Sequence, residues 1–288
     1  MKTIKLVDIN GNVLYELTEE NNTIKHTVET AVKAGASLKR VNLRGADLTN
    51  ITLENVDLME ADFTGADLSL ATISHVNGKY ALFTDATLVS PRIVYSSFNG
   101  ASFKEALLMN ALCKYTNFRF TNFNTAKLDS TLFKLCDCDH STFNNVDLRS
   151  TKFFMTDLDQ VDFSKAEYKP YIPLACPSYG AFIGWKNIRD CKLQRNYLVQ
   201  LLIPEDAKRS SAARNKCRCD KAKVLSIEDL QTHESVNSVT NKNQPHVLTY
   251  KVGKMVYPDK FDDNRWNECS HGIHFFINKQ EAINYYNV

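Results

Sequence analysis

The chain has 288 residues, 43% hydrophobic and 24% charged, which excludes a disordered or low-complexity protein and leaves room for two cores. The net charge of +2 hides an asymmetry: residues 36–168 carry 13 Lys/Arg against 16 Asp/Glu, whereas residues 169–288 carry 18 against 12. No run of about 18 apolar residues is present to cross a bilayer. The N-terminus "MKTIKLVDINGNVLYEL" alternates and carries acids, unlike a secretory signal, so a cytoplasmic protein with reduced cysteines, eight in all, and no membrane partner is expected.

Residues 1–35 read as a cap. "TIKLVDINGNVLYEL" is two alternating runs around Asn10-Gly11-Asn12, residue types that take the positive φ of a tight turn, and a β-hairpin is expected. In "NNTIKHTVETAVKAG", Asn22 or Thr23 caps a helix with the apolar stripe Ile24, Val28 and Val32, ended at Gly35.

From Ala36 the period changes to five. Bulky apolar residues fall at Leu38, Leu43, Leu48, Leu53, Leu58, Phe63, Leu68 and Ile73, miss once at Gly78, then run from Phe83 through Phe163 to Tyr168, and the frame is read as holding to Pro170. Two places before them lie small or modest side chains, among them Ala46, Ala61, Ala66, Ala101, Ala126, Val146 and Thr151. A helix repeats every 3.6 residues and a strand every second one, so neither makes this pattern. Twenty-seven consecutive units share the register.

The pattern resembles the pentapeptide-repeat family, whose consensus A(D/N)LXX is met by "ADLTN", "ADFTG" and "ADLSL". The resemblance covers residues 36–168 and implies a right-handed quadrilateral β-helix with one repeat per side and four per coil. In that geometry the bulky residue and the small one point inward and the other three positions outward. At a coil spacing of roughly 4.8 Å, 27 repeats make somewhat under seven coils and a rod of about 32 Å. A solenoid leaves an unpaired apolar edge at each end. Residues 1–35 are expected to cover one, and the segment after "AEYKPYIP" the other or to dock there, with Pro170, Pro173 and Pro177 marking the boundary. The domains are thus 1–35, 36–170 and 171–288.

In the tail, "YLVQLLIP" (197–204), "AKVLSI" (222–227), "HVLTYKVGKMVYP" (246–257) and "GIHFFIN" (272–278) read as strands, and Asn278 with Glu281 as the start of a helix through "KQEAINYY". "EDLQTHESVNSVTNKNQP" reads as a mobile polar loop. A compact α+β domain is expected. "GAFIGWKNIR", "LLIPEDAKRSSAARNKCRCDKAKVLSI" and "YKVGKMVYPDKFDDNRWNECSHGIHFF" resemble an uncharacterised domain found with pentapeptide repeats in large phage and giant-virus proteins. That resemblance brings no reaction or catalytic residues. It implies a viral setting and a host cytoplasm.

Chemistry is sparse in the repeats, where Cys113, Cys136 and Cys138 fall on inward positions and read as core filler. In the tail, Lys208, Arg209, Arg214, Lys216, Arg218, Lys221 and Lys223 crowd sixteen residues, and Arg209-Ser210-Ser211 sets a guanidinium beside two hydroxyls, a pairing suited to phosphate. A solvated loop is the plainer alternative. The candidate binding residues are Trp185, Lys186, Arg209, Ser210, Lys216, Arg218, Glu268 and His271. Cys217, Cys219, Cys269 and His271 are the only candidates for zinc, at a spacing poorly suited to it, and His274 reads as a core histidine inside a strand. Nothing marks an activating neighbour for a catalytic Cys–His pair, and no cofactor motif is present, so neither catalysis nor a cofactor is expected.

The first expectation is a non-enzymatic binding protein. The solenoid serves as scaffold and the basic tail engages a host protein, a defence or DNA-handling factor that is inhibited by occlusion; self-association into a homo-oligomer fits the same flat sides. A second expectation is a tail that sequesters or modifies a small phosphorylated ligand such as a nucleotide. A third is a DNA mimic that inhibits DNA-binding proteins, which requires a continuous acidic stripe down the rod. Direct DNA binding is not expected, because the basic excess is modest.

Overall fold

The computed structural model describes residues 1–190, 193–241 and 247–286. The chain divides into two compact units, Met1–Ile172 and a second that begins at Pro173.

The first unit opens with the expected hairpin, β1 (Lys2–Val7) antiparallel to β2 (Val13–Glu19). Its turn is organised by Asp8, whose carboxylate accepts from the Asn10 and Asn12 backbone N–H groups, each at 2.8 Å, and from Asn12 Nδ2 at 2.9 Å. Helix α1 (Ile24–Lys33) is capped by Thr23, which accepts from His26 N at 3.1 Å. Asn22, the alternative cap, is buried and donates to Leu17 O instead. Thr27, Val28 and Ala31 form the buried face, with Ile24 and Val32 as its half-buried flanks. The end of β1 pairs onto the first coil, where Asn42 N donates to Val7 O (2.8 Å) and Ile9 N to Arg40 O (2.9 Å). Those coil-edge groups are therefore not left open.

The period-five segment winds into a solenoid. Strands β3 (Thr52–Glu54), β4 (Thr72–Ser74), β5 (Arg92–Val94), β6 (Leu112–Lys114), β7 (Leu132–Lys134) and β8 (Lys152–Phe154) form one parallel sheet in chain order, each residue pairing with the one twenty places on, as Leu53 with Ile73. Twenty residues are four five-residue sides. The other sides make single bridges at the same step, such as Asn42 to Asp62 and Asp57 to Asn77. The fully laddered side spans five coil steps, and the single bridges of the other sides carry the stacking from Asn42 to Tyr168.

Inside, Phe63, Phe83, Phe103, Phe123, Phe143 and Phe163 stack in one column with ring centroids 4.6 to 5.6 Å apart. Where threonine replaces alanine at the small inward position, its hydroxyl is satisfied: Thr121 donates to Phe98 O (2.9 Å) and Thr151 to Leu128 O (3.0 Å). The missed rung at Gly78 is filled from the next coil, since a Cβ there would collide with the edge of the Phe98 ring. Gly78→Ala is therefore expected to cost about 1–3 kcal/mol by overpacking, read as a lower denaturation midpoint of the solenoid.

Two features depart from the five-residue reading. The frame ends at Phe163, where a single 3-10 turn (Phe163–Lys165) inserts one residue and Asp147 bridges Tyr168 rather than residue 167. Tyr168 is consequently no rung; it is 45% exposed, with the Arg149 guanidinium 3.9 Å from its ring centroid. The corners from Arg40 to Gln160, two residues after the inward one, also take positive φ, with Ser150 the exception. Glycine holds it at Gly45, Gly65 and Gly100, but Leu70, Tyr80, Tyr95, Tyr115 and Phe120 hold it at 50–61°. Such residues bear roughly 1–2 kcal/mol of strain each.

The second unit has two antiparallel sheets and a hairpin. Strands β9 (Phe182–Asp190), β10 (Arg195–Ile203), β11 (Arg209–Ser211), β12 (Cys217–Cys219), β13 (Ala222–Asp229), β14 (Ser238–Asn241), β15 (Leu248–Lys251), β16 (Met255–Val256) and β17 (Ile273–Phe275) precede helix α2 (Lys279–Asn284). The sheets run β16-β13-β10-β9 and β11-β12-β17, with β14 paired to β15. Asn278 caps α2, accepting from Gln280 N and Glu281 N. The strand expected over 246–257 is two, broken at Val252–Lys254, and β14 lies within the stretch expected to be a loop. Residues 242–245 of that loop, His246 of the expected strand and Cys191 lie outside the described residues; the seven described cysteines are free. The core joins both sheets through Val199, Leu201, Cys217, Cys219, Tyr250 and Phe275.

Candidate functional site

In the second unit, Ser210, Arg218 and His274 form one cross-strand row on β11, β12 and β17. Lys186 reaches the same place from β9, donating to His274 O at 3.2 Å, and Glu268 O faces His274 Nε2 at 3.0 Å. Burial, reinforced by the charges of Lys186, Lys216 and Arg218, pushes the His274 pKa down to about 2, so its ring is neutral. Burial likewise pushes Lys186 down to about 8.

The cations assembled here are engaged by their own chain. Arg218, 3% exposed, donates to Asp262 O (2.7 Å), Asn264 O (3.0 Å) and Asn267 O, pinning the segment before β17. Lys216 Nζ lies 3.3 Å from Cys269 Sγ. Arg209 does not join the cluster. Its Nε donates to Ala207 O (3.2 Å), Nη1 to Pro177 O and Gly180 O (both 3.0 Å), and Nη2 to Pro204 O (2.9 Å) and Glu205 O (2.8 Å). All five guanidinium N–H groups are used, leaving none for phosphate, which corrects the phosphate reading of Arg209-Ser210-Ser211. Ser211 Oγ accepts from Ala175 N at 2.8 Å, and Ser210 Oγ is buried without a partner.

Trp185 lies elsewhere, under the Lys279 ammonium at 5.1 Å from the ring centroid, and His271 is held by Asp259 at 3.2 Å. The thiols weighed as zinc ligands also separate. Cys217 and Cys219 are fully buried in the core, whereas Cys269 is exposed. Among the described residues no three His, Cys, Asp or Glu side chains lie close enough to hold a metal.

The solenoid presents a surface that sequence reading missed. His75, Tyr95 and Tyr115 occupy one corner of three successive coils and stack at 5.4 and 4.8 Å between centroids, the two tyrosines within 2° of parallel. They line a groove of about 640 Å³ together with Asn77, Lys79, Ser97 and Asn117. Tyr95 and Tyr115 remain 54% and 48% exposed. The signal was present in the sequence as aromatic residues every twenty places, but only the corner geometry turns that spacing into a ridge.

Residues 36–74 match the family model for pentapeptide repeats, in eight copies, and the twenty-residue register continues the same frame along β3–β8. The first unit carries a pentapeptide-repeat solenoid. Residues 172–282, nearly the whole second unit, match a family of unknown function (DUF5758). No curated protein matches the chain. Among solved structures it is similar to a pentapeptide repeat protein from the Arabidopsis thaliana thylakoid lumen (21% identity, 42% of this chain and 70% of that one, TM-score 0.22). It is also similar to a trypsin-treated variant of QnrB1, a plasmid-mediated fluoroquinolone resistance protein (17%, 44% and 83%, TM-score 0.27). A third is HetL, a pentapeptide repeat protein involved in heterocyst differentiation regulation from the cyanobacterium Nostoc sp. PCC 7120 (16%, 49% and 84%, TM-score 0.20).

The pentapeptide-repeat surface lacks the acidic stripe that DNA mimicry requires. The column through Asp57 continues as Asn77, Ser97 and Asn117 before Asp137 and Asp157, and that through Asp62 as Leu82, Ser102, Asn122 and Thr142. No helix of the described residues is long and apolar enough to cross a membrane.

Proposed function

We infer that the chain is a non-enzymatic protein-binding module whose solenoid docks a partner protein laterally. The observation that carries this is the His75–Tyr95–Tyr115 ridge. Core packing does not require aromatics at these corners, which Asn55 also fills in the same column. Exposed tyrosines held in a strained conformation are a cost to the free protein that a bound partner offsets. Tyrosine is also the side chain that supplies much contact area for little lost rotamer freedom. Where the partner's own working surface lies under the rod, the outcome is inhibition by occlusion, and this applies equally to a host factor met by a virus-encoded protein.

Benzoylphenylalanine placed at position 95 of the full chain should crosslink one protein of the source cell. Excess unlabelled chain should compete that product away, and a Tyr95→Ser/Tyr115→Ser chain should compete at least tenfold less well. A product containing only the chain itself would make self-association the role of the ridge. Absence of any competed product would remove the reading.

A further inference from the structure

Beside the ridge, the outer face of the parallel sheet is patterned rung by rung. On its last four rungs the outward positions are Arg92 and Val94 on β5, Leu112 and Lys114 on β6, Leu132 and Lys134 on β7, and Lys152 and Phe154 on β8, whereas β3 and β4 place Thr52, Glu54, Thr72 and Ser74 there. The rungs β6, β7 and β8 each present one cation and one apolar side chain, β5 presents Arg92 with Val94 buried, and none of these four rungs presents an acid. None of the four cations forms an ion pair with a described residue; Lys134 Nζ instead lies 5.3 Å from the Phe154 ring centroid. Phe154 is 56% exposed, while Leu112 and Leu132 are half-buried.

We propose that this face binds an acidic amphipathic helix of the partner protein, lying along the rod with its carboxylates on Arg92, Lys114, Lys134 and Lys152 and its apolar side chains on Leu112, Leu132 and Phe154. The inference rests on the partner-binding reading above and names the partner's chemistry. Charge complementarity favours an anionic occupant, because four cations with no acid beside them on these rungs repel a cationic one. Spacing selects a helix. Rungs repeat at about 4.8 Å and a helix turn at 5.4 Å, so three steps drift by only about 2 Å. An extended strand repeats its facing side chains at roughly 6.7 Å and falls out of step within two rungs. Single-stranded nucleic acid fits less well, since it needs open aromatic faces for its bases and the facing sides of the Tyr95 and Tyr115 rings are occupied by each other.

The test uses the full chain and a fluorescein-labelled helical probe of about 14 residues, with Glu on one side of its buried stripe and Leu along it, followed by anisotropy. Binding should weaken at least tenfold in Lys114→Glu/Lys134→Glu and severalfold in Lys114→Gln/Lys134→Gln. It should fall with added salt and survive Lys127→Glu, which lies on another side. Equal binding by the reversed-charge chain, or by a probe with Lys in place of Glu, would overturn the proposal. So would binding to phosphatidylserine vesicles with none to the probe, which would make the occupant a lipid surface. A competed crosslink at position 95 that the Lys114→Glu/Lys134→Glu chain still competes would sink this inference alone and leave the partner-binding reading standing. Loss of any competed crosslink would sink that reading first.

Discussion

Arg218→Ala is expected to destabilise the second unit by about 4 kcal/mol, a large share of the roughly 5–15 kcal/mol that holds a domain of this size together. The guanidinium is buried and holds three main-chain carbonyls from Asp262, Asn264 and Asn267. Removing it leaves those acceptors without their charged donor and opens a cavity beneath the segment they anchor. Gly272 belongs to the same device. Its φ is 144°, and a Cβ there would collide with Arg218 Cγ, so Gly272→Ala should act in the same direction. Arg218→Lys should recover little, because one ammonium cannot replace a planar fork spread over three carbonyls. The two tryptophans of the chain, Trp185 and Trp266, both lie in this unit, so tryptophan fluorescence during denaturation of the full chain reports it selectively. A midpoint unchanged from wild type would show that the pinned segment stands without Arg218.

Lys186→Met should do the opposite and stabilise the same unit by about 2 kcal/mol at pH 7. The Lys186 ammonium is enclosed against the core, with the Tyr250 ring centroid 5.9 Å away and one hydrogen bond, to His274 O. Burial lowers its pKa from 10.5 to about 8, with Lys216 adding to the depression and Cys219 opposing it. Lowering by that amount corresponds to about 3 kcal/mol of unfavourable charge burial, of which the lost hydrogen bond returns about 1 in the variant. Below pH 8 both folded and unfolded chains carry the proton, and the penalty is present in full. Between pH 8 and 10.5 only the unfolded chain keeps it, so wild-type stability rises with pH across that window relative to the variant. The variant's advantage of about 2 kcal/mol at pH 7 should therefore vanish as the wild type gains about 3 kcal/mol, with the wild type about 1 kcal/mol ahead by pH 10.5. A constant difference over that range would show that Lys186 titrates as an ordinary surface lysine.

These two residues also mark how far the sequence could be read. Lys186, Lys216, Arg218 and Glu268 were singled out for their chemical type, and the fold does gather them around His274. Their role differs from the anticipated one because a cation's partner is decided by which carbonyls the strands bring within reach. For Arg218 these come from more than forty residues away, and for Arg209 from both Pro177 and Glu205. No local pattern carries that information. The zinc candidates parted for a related reason: strand alternation turns Cys217 and Cys219 into the core, away from Cys269.

The period of five by itself determined the inward ladder and the small inward companion, while the coil of four sides came from the family resemblance. A side of the coil is five consecutive residues, so its inside and outside are settled by local geometry, as are the caps Thr23 and Asn278, which bond within three residues of themselves. Only the tertiary structure decided what stacks on what. Phe98 filling the space at Gly78, the extra residue that turns Tyr168 outward, the tyrosine ridge and the cation–apolar rungs all join residues about twenty apart. Their contacts exist only once neighbouring coils lie in register.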